Sequence, residues 1–419
     1  MGVKGYWKAG TKASIYDSQR GHNADVKSVI TKLSYFSTLP ASFVLVLDGP
    51  QREEYKRGKK VTPEPHWMID ELRHIADIFH FPVHQAPGDA EAELAALARR
   101  GIIDVVLTDD SDALVLGAPV VVHFPEDSKD LDTVAMYSLR NIERHPEKPL
   151  TICGSILFAA LVGRDKAEGQ EVKKKGKDHN EADGFGPQLI YGLNNTELPG
   201  MLSIIAHSST GINDKDTITE MITFKERLQY ELRENPYQFL PSKKPKLASK
   251  LDKDTNFCAR VFKIAYSFTH PIISDTNKDQ IGTSWSYTLL PTLKALVARC
   301  EDLFHWKRLN VMEKNFSRLF FSDFCVKYLT TIAFPAFSAH DTLYRVRINC
   351  GALDCIFDKS ATNRTISVWV PSAVAGHFVE ELQALYRDLG GKRYQTPGNP
   401  QKRILVKKHL NLLGVTSSK

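Results

Sequence analysis

The chain has 419 residues, 42% hydrophobic and 25% charged, a mix that excludes a mostly disordered or fibrous protein and asks for two or three domains. The net charge of +6 is only mildly basic, and the longest apolar runs are strand-sized, which excludes a bilayer-spanning segment and membrane partners. No apolar stretch follows a basic start, so no secretory signal is expected, and Tyr6 stands where a myristoylation motif wants Ser or Thr. In chain order, Phe43 to Asp48 reads as a buried strand that ends in a carboxylate and turns at Gly49-Pro50. From 66 to 80, Trp67, Met68, Leu72, Ile75, Ala76 and Ile78 recur at helical spacing. Pro82 to Ala86 reads as a short strand, Asp89 to Arg100 as a helix closed by Gly101, and Ile103 to Thr108 as a second strand running into acids. Strands alternating with helices predict an α/β core with a parallel sheet, whose ligands gather at the carboxyl ends of the strands.

Ile152 to Val162 follows as an apolar helix, then a hydrophilic insert over 166–183, then Gly184-Phe185-Gly186-Pro187 opening another helix. From 215 to 335 the pattern is helical, broken by the basic, proline-containing stretch 241–253. Leu343 to Cys350 and Thr365 to Val370 alternate as strands do, and Ser372 to Leu389 reads as a helix capped by Ser372. The expected division is 1–150, 151–335 and a small α/β module over 340–415. No internal repeat is visible.

Six cysteines (Cys153, Cys258, Cys300, Cys325, Cys350 and Cys355) form no C-x-x-C pair, which argues against zinc and for a reducing compartment. Seven Lys or Arg and no acid occur from Lys392 to Lys419, among them Lys402, Arg403, Lys407 and Lys408. Lysines also cluster at 173–177 and 243–250, whereas acids concentrate around 89–112. A basic body around an acidic pocket suits a protein that holds a polyanion and sets cations against it. Solvated loops account for each cluster taken alone.

Asp48, Asp89, Glu91, Asp110, Asp112 and Asp165 each stand at a strand end or helix start. Carboxylates gathered without paired Lys or Arg repel one another unless cations neutralise them, and hard oxygen ligands suit Mg2+ or Mn2+. Two such ions about 4 Å apart activate water and stabilise the leaving oxygen in phosphodiester hydrolysis. Asp110 and Asp112 are expected to share a pocket with Glu91, their carboxylates within about 8 Å.

Val46-Leu47-Asp48-Gly49-Pro50, Ala86-Pro87-Gly88-Asp89-Ala90-Glu91-Ala92-Glu93, Leu107-Thr108-Asp109-Asp110-Ser111-Asp112 and Gly163-Arg164-Asp165 followed by Gly184-Phe185-Gly186-Pro187 stand in that order. Together with Met1 to Trp7 they resemble the XPG/flap-endonuclease family of structure-specific nucleases, most of all its fungal Holliday-junction resolvase branch. The resemblance implies a PIN-like parallel sheet flanked by helices, a helix–two-turn–helix, a helical segment and a chromodomain-like C-terminal module. It implies two-metal hydrolysis of 5′ flaps or Holliday junctions in the nucleus, during repair or recombination. It assigns metal ligation to the six acids, with Asp48 and Glu91 catalytic and Mg2+ (or Mn2+) bound. It sets Lys56, Arg57, Lys59 and Lys60 on a helix after Asp48, Lys56 and Lys60 steering phosphate and Arg57 and Lys59 on DNA, although which points inward stays open. It also puts Gly2 on DNA, Gly184 and Gly186 on duplex backbone with K+, and a homodimer on the junction.

Four features depart from that pattern. Lys12-Ala13-Ser14-Ile15 stands where the family has Asp-Ala-Ser-Ile, and the strand before it is short between Trp7 and Lys12. Asp17 lies roughly 140° further round a helix and does not substitute. Asp89 replaces a Glu, and the insert 166–183 separates Asp165 from the hairpin. These departures leave open a faulty coding assignment, lost activity or tolerated divergence. The rival readings are a DNA-binding relative that no longer cuts and a PIN-type ribonuclease; the helix–two-turn–helix and the segment 215–335 weigh against the second.

Overall fold

The computed structural model describes residues 23–39, 41–52, 68–124, 134–162, 184–209, 211, 214–274, 281, 285, 293–305 and 315, and the backbone of 55–56, 59–60, 343–349, 365–371 and 403–406. In chain order the elements are α1 (Ala24–Thr38), β1 (Leu45–Leu47), β2 (Tyr55–Lys56), β3 (Lys59–Lys60), α2 (Ile69–Ile78), β4 (Val83–Gln85), α3 (Ala90–Arg99), β5 (Val106–Leu107), α4 (Asp112–Val115), β6 (Val120–His123), β7 (Ala135–Ser138) and α5 (Leu139–Glu143). They continue as α6 (Ile152–Val162), α7 (Pro187–Leu193), α8 (Leu198–Ser208), α9 (Lys215–Glu234), α10 (Pro245–Lys253), α11 (Phe257–Thr269), α12 (Leu293–Phe304), β8 (Leu343–Asn349), β9 (Thr365–Pro371) and β10 (Arg403–Val406). They fall into two compact units, one within 46–65 and 84–283, the other within 6–45, 66–83 and 284–419.

In the first unit, the end of β1 runs beside β4 in the same direction: Ala86 N–H, just past β4, donates to the Leu47 carbonyl at 2.9 Å. β5 pairs parallel with β6, and β6 antiparallel with β7. β5 is shorter than the apolar run suggests, because Asp104 and Val105 are exposed and only Val106 is fully buried there. Alanine-rich α3 is buried on nearly every side, as a helix apolar all round must be. The apolar run 152–162 forms α6, packed against α8 and α11. Around them Phe224, Leu228 and Leu232 of α9 and Phe257, Val261 and Ala265 of α11 bury their i, i+4, i+8 rows.

Two sequence expectations are corrected here. Lys56, Lys59 and Lys60 do not lie on a helix: β2 and β3 form an antiparallel hairpin with Lys56 opposite Lys59. Two residues, Arg57-Gly58, separate the strands in sequence, and glycine is a common hairpin-turn residue. Nor is 241–253 one break. Pro245, its φ already set for a first turn, opens α10, and Leu247, Ala248 and Leu251 bury themselves. Only 235–244 is loop.

In the second unit, α1 buries Val26, Ile30, Leu33 and Phe36 on one stripe. Phe36 stacks on Phe43 with centroids 4.9 Å apart, and Phe43 meets Phe81. α2 packs against α1 and α12, and Arg299 of α12 holds Glu71 of α2 through two hydrogen bonds. The C-terminal strands form a mixed sheet in the order β10-β8-β9, β8 antiparallel to β9 and parallel to β10. The helix expected over 372–389 lies outside the described residues. Among the described residues no helix is long and apolar enough to cross a membrane.

Burial in α12 pushes the Cys300 thiol up to about 12. Since only the thiolate is nucleophilic, Cys300 should escape iodoacetamide at about pH 8 in the native chain and react once the chain unfolds. Labelling of its peptide before unfolding, read by mass spectrometry, would contradict this packing.

Candidate metal centre

The site begins where buried β1 runs out. Gly49 N–H donates to the Gly88 carbonyl at 2.7 Å and Gln51 N–H to the Pro87 carbonyl at 2.9 Å, so the strand end lies flat on segment 86–88. That segment feeds α3, with Asp89 at its N-cap position in extended conformation (φ −72, ψ 138) and Glu91 in its first turn. Asp89 does not cap the helix with its own side chain. Instead, Asp48 Oδ1 accepts Ala90 N–H at 3.0 Å, satisfying one of the donors orphaned at a helix start. The result is a half-buried triplet: Asp48, Asp89 and Glu91 each offer a carboxylate oxygen, all within 4.8 Å of one another.

Charges about 5 Å apart repel by roughly 3 kcal/mol per pair at an effective dielectric constant near 20. The α3 N-terminus offsets part of this. So does Arg52, whose Nη1 lies 3.3 Å from Asp48 Oδ2. The acids therefore do not stand without a cation, as composition suggested; the sequence signal for Arg52 is its i, i+4 spacing from Asp48. Three hard oxygen donors with no His or Cys among them fit Mg2+ or Mn2+.

Asp110 and Asp112 stand apart from the triplet at the 4.8 Å limit. Asp110 N–H donates to Thr108 Oγ1 at 3.1 Å, and Asp112 N–H donates to Asp110 Oδ1 at 3.0 Å, so Asp110 turns the chain from β5 into α4. Gly184 has φ +92, and Gly186 is the N-cap of α7, with open space where a Cβ would stand. Helix α7 follows Gly186 directly, and α8 follows α7 across 194–197; residues 163–183, which precede the glycines expected to open a helix–two-turn–helix at 184–190, lie outside the described residues. Arg403 opens β10. Gly2, Lys12, Arg57, Asp165, Lys402, Lys407, Lys408 and the insert 166–183 lie outside the described residues.

One supporting residue is not legible in the sequence. Glu93, 1% exposed, accepts from the Ser274 N–H at 2.8 Å, and His84 Nε2 lies 2.8 Å from its other oxygen. Burial drives its carboxyl upward, but these hydrogen bonds outweigh that and hold it below its ordinary value. Arg100 also donates to the Ser274 carbonyl at 3.1 Å. Segment 271–274 is thus strapped across the helix that carries Asp89 and Glu91. Nothing local marks a partner 181 positions away.

Comparison with known proteins matches part of this region. Residues 80–165, which span Asp89, Glu91, Asp110, Asp112 and Asp165, match the XPG I-region model. Flap endonuclease 1 of Haloarcula marismortui is 31% identical over 102 residues, 24% of this chain and 30% of the relative. The Mus musculus flap endonuclease 1 is 39% identical over 73 residues, 17% of this chain and 19% of the relative. The chain thus spans less than a third of the length of these curated relatives. Among solved structures, the Holliday junction-resolving enzyme GEN1 with product DNA and Mg2+ superposes with a TM-score of 0.62 at 19% identity, covering 91% of this chain and 90% of that one. GEN-1 binding sodium gives a TM-score of 0.64 at 19% identity, covering 89% and 90%. The fold is accordingly the α/β nuclease fold with its helical extension, and residues 80–165 carry the XPG I-region within it.

Proposed function

We propose that this chain is a metal-dependent, structure-specific endonuclease that hydrolyses phosphodiesters in branched DNA during repair or recombination. The observation that carries the reading is the Asp48–Asp89–Glu91 triplet, in which backbone hydrogen bonds clamp the end of β1 onto the I-region segment that carries Asp89 and Glu91. Asp48, Asp89 and Glu91 would hold Mg2+ or Mn2+, with Asp110, Asp112 and Asp165 holding a second ion, and these metals would supply an activated water and charge neutralisation at the scissile phosphate. The chain's own part is placement. The Ala90 N–H fixes the Asp48 carboxylate, Arg52 offsets its charge, and Glu93 pins α3 through Ser274. Lys56 and Lys60, with Arg57, Lys59 and Gly2, take phosphates near the cut. Gly184 and Gly186 let duplex backbone approach α7, where K+ would help neutralise its phosphates, and Lys402, Arg403, Lys407 and Lys408 add unspecific attraction. Likeness to GEN1, a Holliday junction-resolving enzyme, over nine-tenths of the chain favours the four-way junction over a flap; a homodimer on the junction and a nuclear setting complete the proposal.

Lys12 favours a second reading, a relative that binds branched DNA and cuts poorly. A lysine ammonium where a ligand carboxylate belongs competes with the incoming cation. The test sets the unmodified chain, Lys12→Asp and a version with a relative's first strand restored on a nicked junction, a 5′ flap and single-stranded RNA with Mg2+. We expect junction cleavage, slow in the unmodified chain, raised by Lys12→Asp and highest with the strand, because ligand placement matters as well as ligand type. Cleavage of RNA alone would overturn the reading, and robust cutting by the unmodified chain would remove Lys12 from the metal site.

A further inference from the structure

The loop between α9 and α10 is exposed and yet tightly built. α9 ends at Asn235, left-handed at φ 45. The Asn235 side chain closes the loop from both sides: Oδ1 accepts Leu240 N–H at 3.0 Å and Nδ2 donates to the Leu240 carbonyl at 2.9 Å. Gln238 is held at φ 56, and Lys244 N–H donates to the Leu232 carbonyl at 2.6 Å. Beneath, the Phe239 carbonyl presses on Gly192 of α7, where a Cβ would stand 2.5 Å from that oxygen, and Leu247 lies against Gly184. The loop is therefore seated on the C-terminal end of α7, and α10 on the entry to it.

From this frame Tyr237 and Phe239 project outward, 66% and 41% exposed, their rings stacked at 5.6 Å and 29°. A braced pair of rings with open surface is a platform for flat ligands, not a misplaced piece of core. Residues 235–251 contain Lys243, Lys244, Lys246 and Lys250 and no acid. Lys243 pairs with Glu234 at 3.3 Å, while Lys244 and Lys246 are exposed beside the rings in sequence. Aromatic faces among cations are complementary to a strand whose bases are unstacked and whose backbone is anionic.

We propose that this loop is a stacking platform for unpaired nucleotides of branched DNA, Tyr237 and Phe239 taking base faces and Lys244 and Lys246 taking phosphates; it rests on the branched-DNA reading above. The full-length chain is tested by fluorescence anisotropy in EDTA, against a labelled single strand and a blunt duplex across a salt series. Tyr237→Leu with Phe239→Leu should weaken single-strand binding by about tenfold or more, as loss of base stacking does, and leave duplex binding and the salt slope unchanged. Tyr237→Trp keeps a ring and should bind at least as well as the unmodified chain, which separates lost stacking from misfolding. Lys244→Gln with Lys246→Gln should flatten the single-strand log–log salt slope by about 1.4, at roughly 0.7 per phosphate. Single-strand affinity untouched by the Leu pair, or single-strand and duplex affinities falling together, would overturn the platform. Cleavage of the nicked junction with Mg2+ is scored separately: a chain that cuts but stacks nothing loses only the platform, and one that stacks but never cuts loses only the nuclease reading.

Discussion

Asp48→Asn should lower junction cleavage by about a thousandfold, close to 4 kcal/mol of barrier at 1.36 kcal/mol per decade. The substitution is isosteric, and the Asn side-chain oxygen still accepts Ala90 N–H, so α3 keeps its start. What disappears is one of three charges within 4.8 Å, together with the counter-charge to Arg52. Cation affinity should therefore fall at least tenfold, read as free Mn2+ by electron paramagnetic resonance, a measurement that needs no turnover. Stability should hold or rise slightly, because the remaining pair repels less than the triplet did. Affinity for DNA without metal should hold or rise for the same reason. Cleavage and Mn2+ affinity both within a factor of about three of the unmodified chain would mean that the triplet is only a polar helix start.

How much of this is legible in the sequence depends on how local each signal is. Helix α6 follows the apolar run from Ile152 to Val162 residue for residue, since composition alone decides a helix apolar on every face. Asp48 at the end of β1 and Asp89 at the start of α3 are also readable, because an apolar run stopping at an acid is a short-range pattern. The hairpin 55–60 misleads because four cations in six residues suit a solvated helix, and only the Arg57-Gly58 pair speaks for a turn. Arg52 on Asp48 is hidden when acids are counted without asking which cations reach them. The clasp of Glu93 on Ser274 joins two segments through a backbone N–H, which leaves no trace in side-chain pattern at either end. The stacked Tyr237 and Phe239 are likewise masked, since the bracing by Asn235 that exposes them is a matter of backbone geometry.

Gly49→Ala should do more damage than any substitution of a single ligand, because it attacks what brings the ligands together. A Cβ at Gly49 would stand 1.9 Å from the Ala86 carbonyl oxygen, 2.3 Å from that of Pro87 and 2.5 Å from the Pro87 carbonyl carbon. All three are backbone atoms, so no flexible side-chain end yields, and relief requires β1 and segment 86–88 to separate. Separation breaks the Gly49–Gly88 and Gln51–Pro87 hydrogen bonds and moves Asp48 away from Asp89 and Glu91. Overpacking of this kind costs about 3 kcal/mol or more, measured by urea unfolding. Gly101→Ala is the matched comparison. Gly101 has φ +70 with nothing within 4 Å of the place a Cβ would take, so only left-handed strain of about 1–2 kcal/mol applies. It also lies past the opposite end of α3, where neither Asp89 nor Glu91 depends on it. Gly49→Ala should therefore lose both stability and Mn2+ binding, whereas Gly101→Ala loses some stability and keeps the metal. Equal costs for the two alanines, with Mn2+ bound alike, would show that the strand end does not rest on segment 86–88 and that the triplet is not held by it.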